Sequence, residues 1–155
     1  MSDIVAIGGG QASFSFLNKL RSLGYNKSIT LICSEAQLPY QRPPLSKKFL
    51  VGEFEKSRLF FRPQNFYDSN NIEIIKGQKV LGIDRKNSIV KLEKGSSIDY
   101  QTLFLGLGSK PRLLSKELIG GISNIYYLRN LYDAKIIAGA LKKNKKLLIL
   151  GGGFI

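Results

Sequence analysis

The sequence predicts an α/β fold: a parallel sheet opened by a βαβ unit, followed by a small antiparallel β-meander. Three observations predict it. An apolar run, Asp3–Ile7, stops directly on Gly8-Gly9-Gly10. Apolar residues at helical spacing follow (Phe14, Phe16, Leu17, Leu20, Leu23), and a second apolar run, Ser28–Cys33, closes a strand–turn–helix–strand unit. That unit spans about 30 residues, the size of a parallel crossover. Several short strand-like runs then cluster between Ile72 and Leu107.

Each element has its own warrant. Gly24 is placed to stop the first helix. Leu38–Ser46 holds three prolines and reads as a loop, and Lys47–Gly52 reads as a short helix. Ile72–Ile75, Lys79–Asp84, Ile89–Leu92 and Ile98–Tyr100 read as short strands, with a turn at Glu93-Lys94-Gly95. Thr102–Leu107 is an apolar strand closed by Gly108, and Leu131–Lys142 is helical. Lys146–Leu150 reads as another buried strand, running into Gly151-Gly152-Gly153. The segments Ile4–Gly10 and Leu147–Gly153 look like one device used twice. The second copy has no helix after it, so the chain is expected to be a fragment of a longer protein.

Composition narrows the function. With 155 residues and 43% hydrophobic content, the chain can build one real core. No apolar run reaches the ~20 residues that a membrane helix needs. The N-terminus lacks the pattern of a signal peptide, so a cytoplasmic location and no membrane partner are expected. The single cysteine, Cys33, rules out an internal disulfide and a CxxC pair, and reads as core packing. The net charge of +13 permits attraction to a nucleotide, an acidic protein or nucleic acid. The lysines are mostly dispersed, with one tight cluster at Lys142–Lys146, and no aromatic–basic interleaving accompanies them. A scattered basic surface is the better reading, and no nucleic-acid partner is expected. No residues are assigned to a metal.

The first glycine turn carries most of the chemistry. Gly8 permits a tight bend after the strand. Gly10 lacks a side chain, so a pyrophosphate can approach the backbone. The helix beginning near Gln11 directs free N–H groups and its positive dipole end at that anion. Ser13 stands at the third small position, where helix and strand pack closely. Glu35 lies 22 residues after Ser13, near the spacing of the acidic residue that hydrogen-bonds a ribose hydroxyl. The competing reading of Glu35 is an ordinary loop glutamate. In Leu38–Lys47, Arg42 and Lys47 flank a stiff Pro-Pro turn, which either is a rigid surface loop or holds two cations for phosphate or reduced flavin.

With these residues in place, the sequence resembles the FAD-dependent ferredoxin reductases of ring-hydroxylating dioxygenase and bacterial cytochrome P450 systems. These belong to the wider pyridine-nucleotide-disulfide oxidoreductase superfamily. The resemblance is carried by Ile7–Ser13, Leu38–Lys47, Leu103–Arg112, Tyr127–Ala134 and Leu147–Ile155, and Leu38–Lys47 is its most specific part. It implies a Rossmann-like FAD-binding domain, with residues 1–145 as its N-terminal part. Residues 146–155 would be the first strand and glycine turn of a truncated NAD(P)-binding domain.

The resemblance also implies roles. Gly8, Gly10, Ala12 and Ser13 would meet the FAD pyrophosphate, with Gln11 opening the helix there. Glu35, with Ser34 beside it, would lie at the adenosine ribose. Arg42 and Lys47 would lie near the flavin, Lys47 closest to the isoalloxazine, as the residue with a catalytic role. Val80 would contact the adenine side through its backbone, and Arg129 would lie near the cofactor. Gly151 and Gly153 would begin the NAD(P)H turn. Two substitutions depart from the family pattern. The position often acidic is Ser34, and the usual Ala-Thr-Gly is Gly106-Leu107-Gly108, which leaves Gly108 as a backbone contact. The chain also ends before the helix due after Gly153. The implied activity passes electrons from NAD(P)H through FAD to a [2Fe–2S] ferredoxin. The alternatives are a related flavoprotein reductase with a small-molecule acceptor, or a non-functional truncated fragment.

Overall fold

The first strand shows why this chain folds as it does. In the computed structural model, which describes residues 2–141 and 146–151, β1 (Ser2–Ile7) turns Ile4 and Ala6 to one face of a sheet and Val5 and Ile7 to the other. Both faces are covered, so the strand reads as an unbroken apolar run. The next strand, β2 (Ile29–Cys33), is buried at every position for the same reason.

Between them, α1 (Gln11–Ser22) lays Ser13 and Leu17 into the core. It ends as the sequence predicts. Gly24 takes φ +81°, the Gly24 N–H donates to the Arg21 carbonyl, and the Tyr25 N–H donates to the Leu20 carbonyl. This pair of bonds satisfies the last carbonyls of the helix. Arg21 reinforces the corner, donating to the carbonyls of Tyr25, Lys27, Asn70 and Asn71.

The remaining sheet strands are β3 (Ile72–Lys76), β4 (Val80–Asp84), β5 (Ile89–Leu92) and β6 (Ser97–Leu105). Six strands form one sheet in the order β3-β2-β1-β6-β5-β4. Neighbours are parallel from β3 to β6 and antiparallel from β6 to β4. This is the expected α/β fold, a parallel sheet with a βαβ start and an antiparallel meander.

The sequence expects two strands where β6 is one. Its first half pairs with β5 (Asp99 opposite Ile89) and its second half with β1 (Thr102 opposite Ile4). No breaker separates Tyr100 from Thr102, so the strand runs through while its partner changes.

By internal contacts the chain forms two compact units. The first, Met1–Tyr40 with Phe60–Gly108, holds the sheet, α1 and α2 (Gln64–Ser69). The stacked pairs Phe14–Phe61 and Phe16–Phe104 pack within it. The second, Gln41–Leu59 with Ser109–Ile155, holds 3-10 turns at Pro43–Ser46 and Lys56–Leu59, α3 (Lys116–Ile119) and α4 (Leu131–Ala140). In this unit α4 is capped by a reciprocal Asn130–Asp133 box and packs against the Pro43–Ser46 turn.

Two expectations fail in this second unit. The helical turn falls on Pro43–Ser46 rather than Lys47–Gly52. Lys47 leaves helical geometry (φ −126°, ψ −123°), and the chain continues in a set of turns that ends at Gly52, φ +81°. Lys146–Leu150 is not a strand, and Leu147–Leu150 are 64–82% exposed. An apolar run becomes a strand only where a neighbour meets its N–H and C=O groups, and none among the described residues does. Most of the lysine cluster, and the expected helix end at Lys142, lie outside the described residues. Among those described, no helix is long and apolar enough to cross a membrane.

Candidate dinucleotide site

The glycine turn sits in the first unit, where β1 ends. Gly8 takes φ +109°, a conformation that only glycine adopts without strain. A Cβ on Gly8 would overlap the carbonyl oxygen of Gly106, because the turn runs against the end of β6. The Gly8 N–H donates to the Ile32 carbonyl at 2.8 Å, and the Gly106 N–H to the Ile7 carbonyl at 2.9 Å. These bonds fix the turn to both neighbouring strands. Gly9 lies on the Cys33 thiol, where a Cβ would come within 2.7 Å of Sγ. Cys33 is buried and free, and burial pushes its thiol up to about 12. It packs the underside of the turn.

Gly10 differs from both. A Cβ there would meet nothing within 4 Å. Gly10 is also the N-cap of α1, with no side chain to accept from the first N–H groups, and the first turn carries no acidic residue. Gln11 and Ala12 are exposed. An uncapped helix end of this kind, with open space in front of it, is arranged for an anion.

Ser13 is fully buried, and its Oγ has no hydrogen-bond partner. Its side chain points toward Gly106, away from the open end, which leaves its N–H as the group directed at an anion. These observations fit a dinucleotide pyrophosphate at the turn.

The next feature lies where β2 ends. Ser34 is exposed and Glu35 half-buried. The Glu35 carbonyl accepts from the Gly77 N–H at 3.1 Å, and the Tyr40 hydroxyl donates to Glu35 Oε2 at 2.6 Å. Tyr40 is 2% exposed, and its backbone is held by a bridge to Phe60 and by the Phe61 N–H bonded to the Pro39 carbonyl. Sequence reasoning misses Tyr40. Its only signal is a tyrosine following Pro39, five positions after the acidic residue. Gly106 is missed in the same way, read only as a departure from a family pattern. Val80 opens β4, packed against the cluster that contains Val5 and Ile32. Gly108 is exposed, with φ +66°.

Within the second unit, the structure brings two expected residues together. Arg42 Nη1 donates to the Arg129 carbonyl at 2.9 Å. The Arg129 N–H in turn donates to Asp133 at the start of α4. Arg42 and Arg129 are half-buried, while Lys47 is exposed. Gly151 is exposed with φ +114°, and Gly153 lies outside the described residues.

Comparison with known proteins agrees with this geometry. Residues 2–155 match the family model described as pyridine nucleotide-disulphide oxidoreductase. The chain is 37% identical over 152 residues to a rubredoxin-NAD(+) reductase of Pseudomonas putida, covering 98% of this chain and 39% of that protein. A crystal structure of a covalent putidaredoxin reductase–putidaredoxin complex superposes with a TM-score of 0.82 at 33% identity, over 90% of this chain and 34% of that one. A ferredoxin reductase for the CYP199A2 system of Rhodopseudomonas palustris gives a TM-score of 0.81 at 36% identity, over 88% and 34%. The chain spans 35–39% of the length of the rubredoxin-NAD(+) reductase and of two other curated relatives, rhodocoxin reductase of Rhodococcus erythropolis and putidaredoxin reductase of Pseudomonas putida. With the glycine turn, the uncapped α1 and a family model matched along almost its whole length, this chain belongs to the pyridine nucleotide-disulphide oxidoreductase family.

Proposed function

We propose that this chain is the N-terminal part of an FAD-dependent oxidoreductase that passes electrons from NAD(P)H, through FAD, to a [2Fe–2S] ferredoxin in the cytoplasm. The observation that carries the reading is the turn at Gly8–Gly10, closed by contacts at Gly8 and Gly9 and open at Gly10. In this reading residues 1–145 belong to the FAD-binding domain and 146–155 begin an NAD(P)-binding domain. The names of the relatives, reductases that serve rubredoxin, putidaredoxin or a P450 system, support the choice of acceptor class.

When bound, FAD accepts hydride and releases single electrons, which is chemistry the protein does not itself perform. The chain's own residues bind and orient. The N–H groups from Gln11 to Ser13 hold the pyrophosphate against Gly8 and Gly10. Glu35, beside Ser34, accepts from the adenosine ribose, and the Val80 backbone and Gly108 border the cofactor. Arg42 and Arg129 supply positive charge near the flavin, and Lys47 stabilises negative charge on its reduced form. Gly151 and Gly153 open the NAD(P)H turn. The net charge of +13 draws an acidic ferredoxin to the surface.

The test is NADH-driven reduction of cytochrome c by the complete, FAD-loaded protein to which this chain belongs. Activity that depends on added ferredoxin is the expected result. Equal activity without ferredoxin, or turnover of a small-molecule acceptor alone, would replace this reading with a small-molecule reductase.

A further inference from the structure

The ribose carboxylate does not stand alone at the end of β2. Glu35 is fixed twice: its carbonyl accepts from Gly77, and its carboxylate accepts from the Tyr40 hydroxyl at 2.6 Å. Tyr40 is itself immobilised by burial and by the bridge to Phe60. The distance is that of a well-formed O–H···O hydrogen bond. A carboxylate has about four acceptor positions, and the tyrosine hydroxyl takes one of those on Glu35.

We propose that Tyr40 is a positioning residue for adenosine-ribose recognition: its hydroxyl holds the Glu35 carboxylate in the rotamer that accepts from the ribose 2′-hydroxyl. The proposal rests on the FAD reading given above and goes beyond it, because it assigns ribose selectivity to a residue that acts through Glu35. An exposed glutamate loses rotamer freedom when it binds a ligand, and that loss weakens binding. Here the freedom is already removed. The carboxylate is also kept from turning away into solvent, so its two oxygens keep a set direction.

The experiment compares FAD with its analogue bearing 2′-deoxyadenosine, each titrated into the apoprotein and followed by flavin fluorescence. Loss of one hydrogen bond to a charged group predicts that the native protein prefers FAD by about tenfold. Tyr40→Phe keeps the ring in its buried slot and removes only the donor. It is expected to cut the preference to about two- to threefold. A general loosening of the fold would weaken both ligands alike and leave their ratio unchanged. Glu35→Gln should lose the same preference, and adding Tyr40→Phe to it should lower the ratio no further.

A native ratio retained in Tyr40→Phe overturns the proposal, as does a native ratio in Glu35→Gln. All titrations use the complete protein, and its failure to bind FAD at all overturns the flavin reading, and the proposal with it. Should the phenylalanine variant not refold, 4-fluorophenylalanine at position 40 fills the hydroxyl's volume and removes only the donor. A native ratio there also overturns the proposal.

Discussion

Ser13 on α1 and Gly106 at the end of β6 share one space: a Cβ on Gly106 would overlap the Ser13 hydroxyl oxygen. Gly106 departs from the pattern of the resembled family, and its missing side chain leaves room for the Ser13 hydroxyl. The serine fills the room that the glycine leaves. Its buried hydroxyl gains no hydrogen bond there, so the contact is one of volume.

The pair should therefore behave as a unit. Gly106→Ala alone is expected to destabilise the fold by about 1–3 kcal/mol through overpacking. Ser13→Ala removes an unsatisfied buried hydroxyl and is expected to be neutral or stabilising by about 1 kcal/mol. The double variant should recover most of the loss from Gly106→Ala. Urea unfolding of the four proteins measures the coupling, and strictly additive effects would refute it.

Gly8 and Gly10 should separate folding from binding. Gly8→Ala meets both a positive φ and the Gly106 carbonyl, and should cost several kcal/mol or prevent folding. Gly10→Ala meets no protein atom, so its melting temperature without cofactor should stay within a few degrees of native. FAD affinity should nevertheless fall at least tenfold, because the new methyl occupies the space of the pyrophosphate. Thermal melts and fluorescence titrations decide both outcomes.

Lys47 is the residue expected to act on the reaction. In the complete protein, Lys47→Ala should leave FAD bound and slow flavin reduction by NADH at least tenfold, read by stopped-flow absorbance. The lysine is exposed, so the substitution should not unfold the protein. An unchanged reduction rate removes this role.

Cys33 should resist thiol reagents until the protein unfolds. Its thiol is raised to about 12, first by burial, and the reactive species is the thiolate. The folded state thus holds its proton at a pH where the unfolded chain, titrating near 8.5, releases it. Stability is full below about pH 8.5 and falls as pH rises from there toward 12. Cys33→Ala should flatten that alkaline limb. Rapid labelling of the native thiol by Ellman's reagent at pH 8 would contradict the burial.

Arg21 should be worth more than a surface arginine. Its guanidinium donates to four carbonyls, at Tyr25, Lys27, Asn70 and Asn71. Arg21→Met keeps the apolar stem and is expected to cost about 1–3 kcal/mol in urea unfolding. Arg21→Lys should not rescue it, because an ammonium cannot span the same fork.

Much of the first unit can be read from the sequence, for a physical reason. In β1, α1 and β2 the period of the apolar residues matches the element, and glycines mark both ends of the helix, so local and global preferences agree. Ile89–Leu92 and the turn at Gly95 obey the same logic. The single strand β6 reads as two because a change of partner leaves no mark on the strand that makes it. Residues 146–150 are the reverse case, an apolar pattern that marks a strand only where a neighbour pairs with it. In the site, the glycines and Glu35 are visible through motif spacing. Tyr40 and the Ser13–Gly106 contact are not, because both depend on which side chains tertiary packing brings into reach.

The place of β1 between β2 and β6 sets an order of events during synthesis. Its first neighbour emerges soon after it, but the segment that closes its other edge ends only at Leu105. At ordinary translation rates that edge stays open for roughly 5–20 s. Until β6 emerges, one edge of β1 is an unpaired template, and a chain halted before Ser97 presents a sheet with a sticky side. Quality control of this protein should therefore act on nascent chains that still lack β6, whose open β1 edge invites chaperone binding.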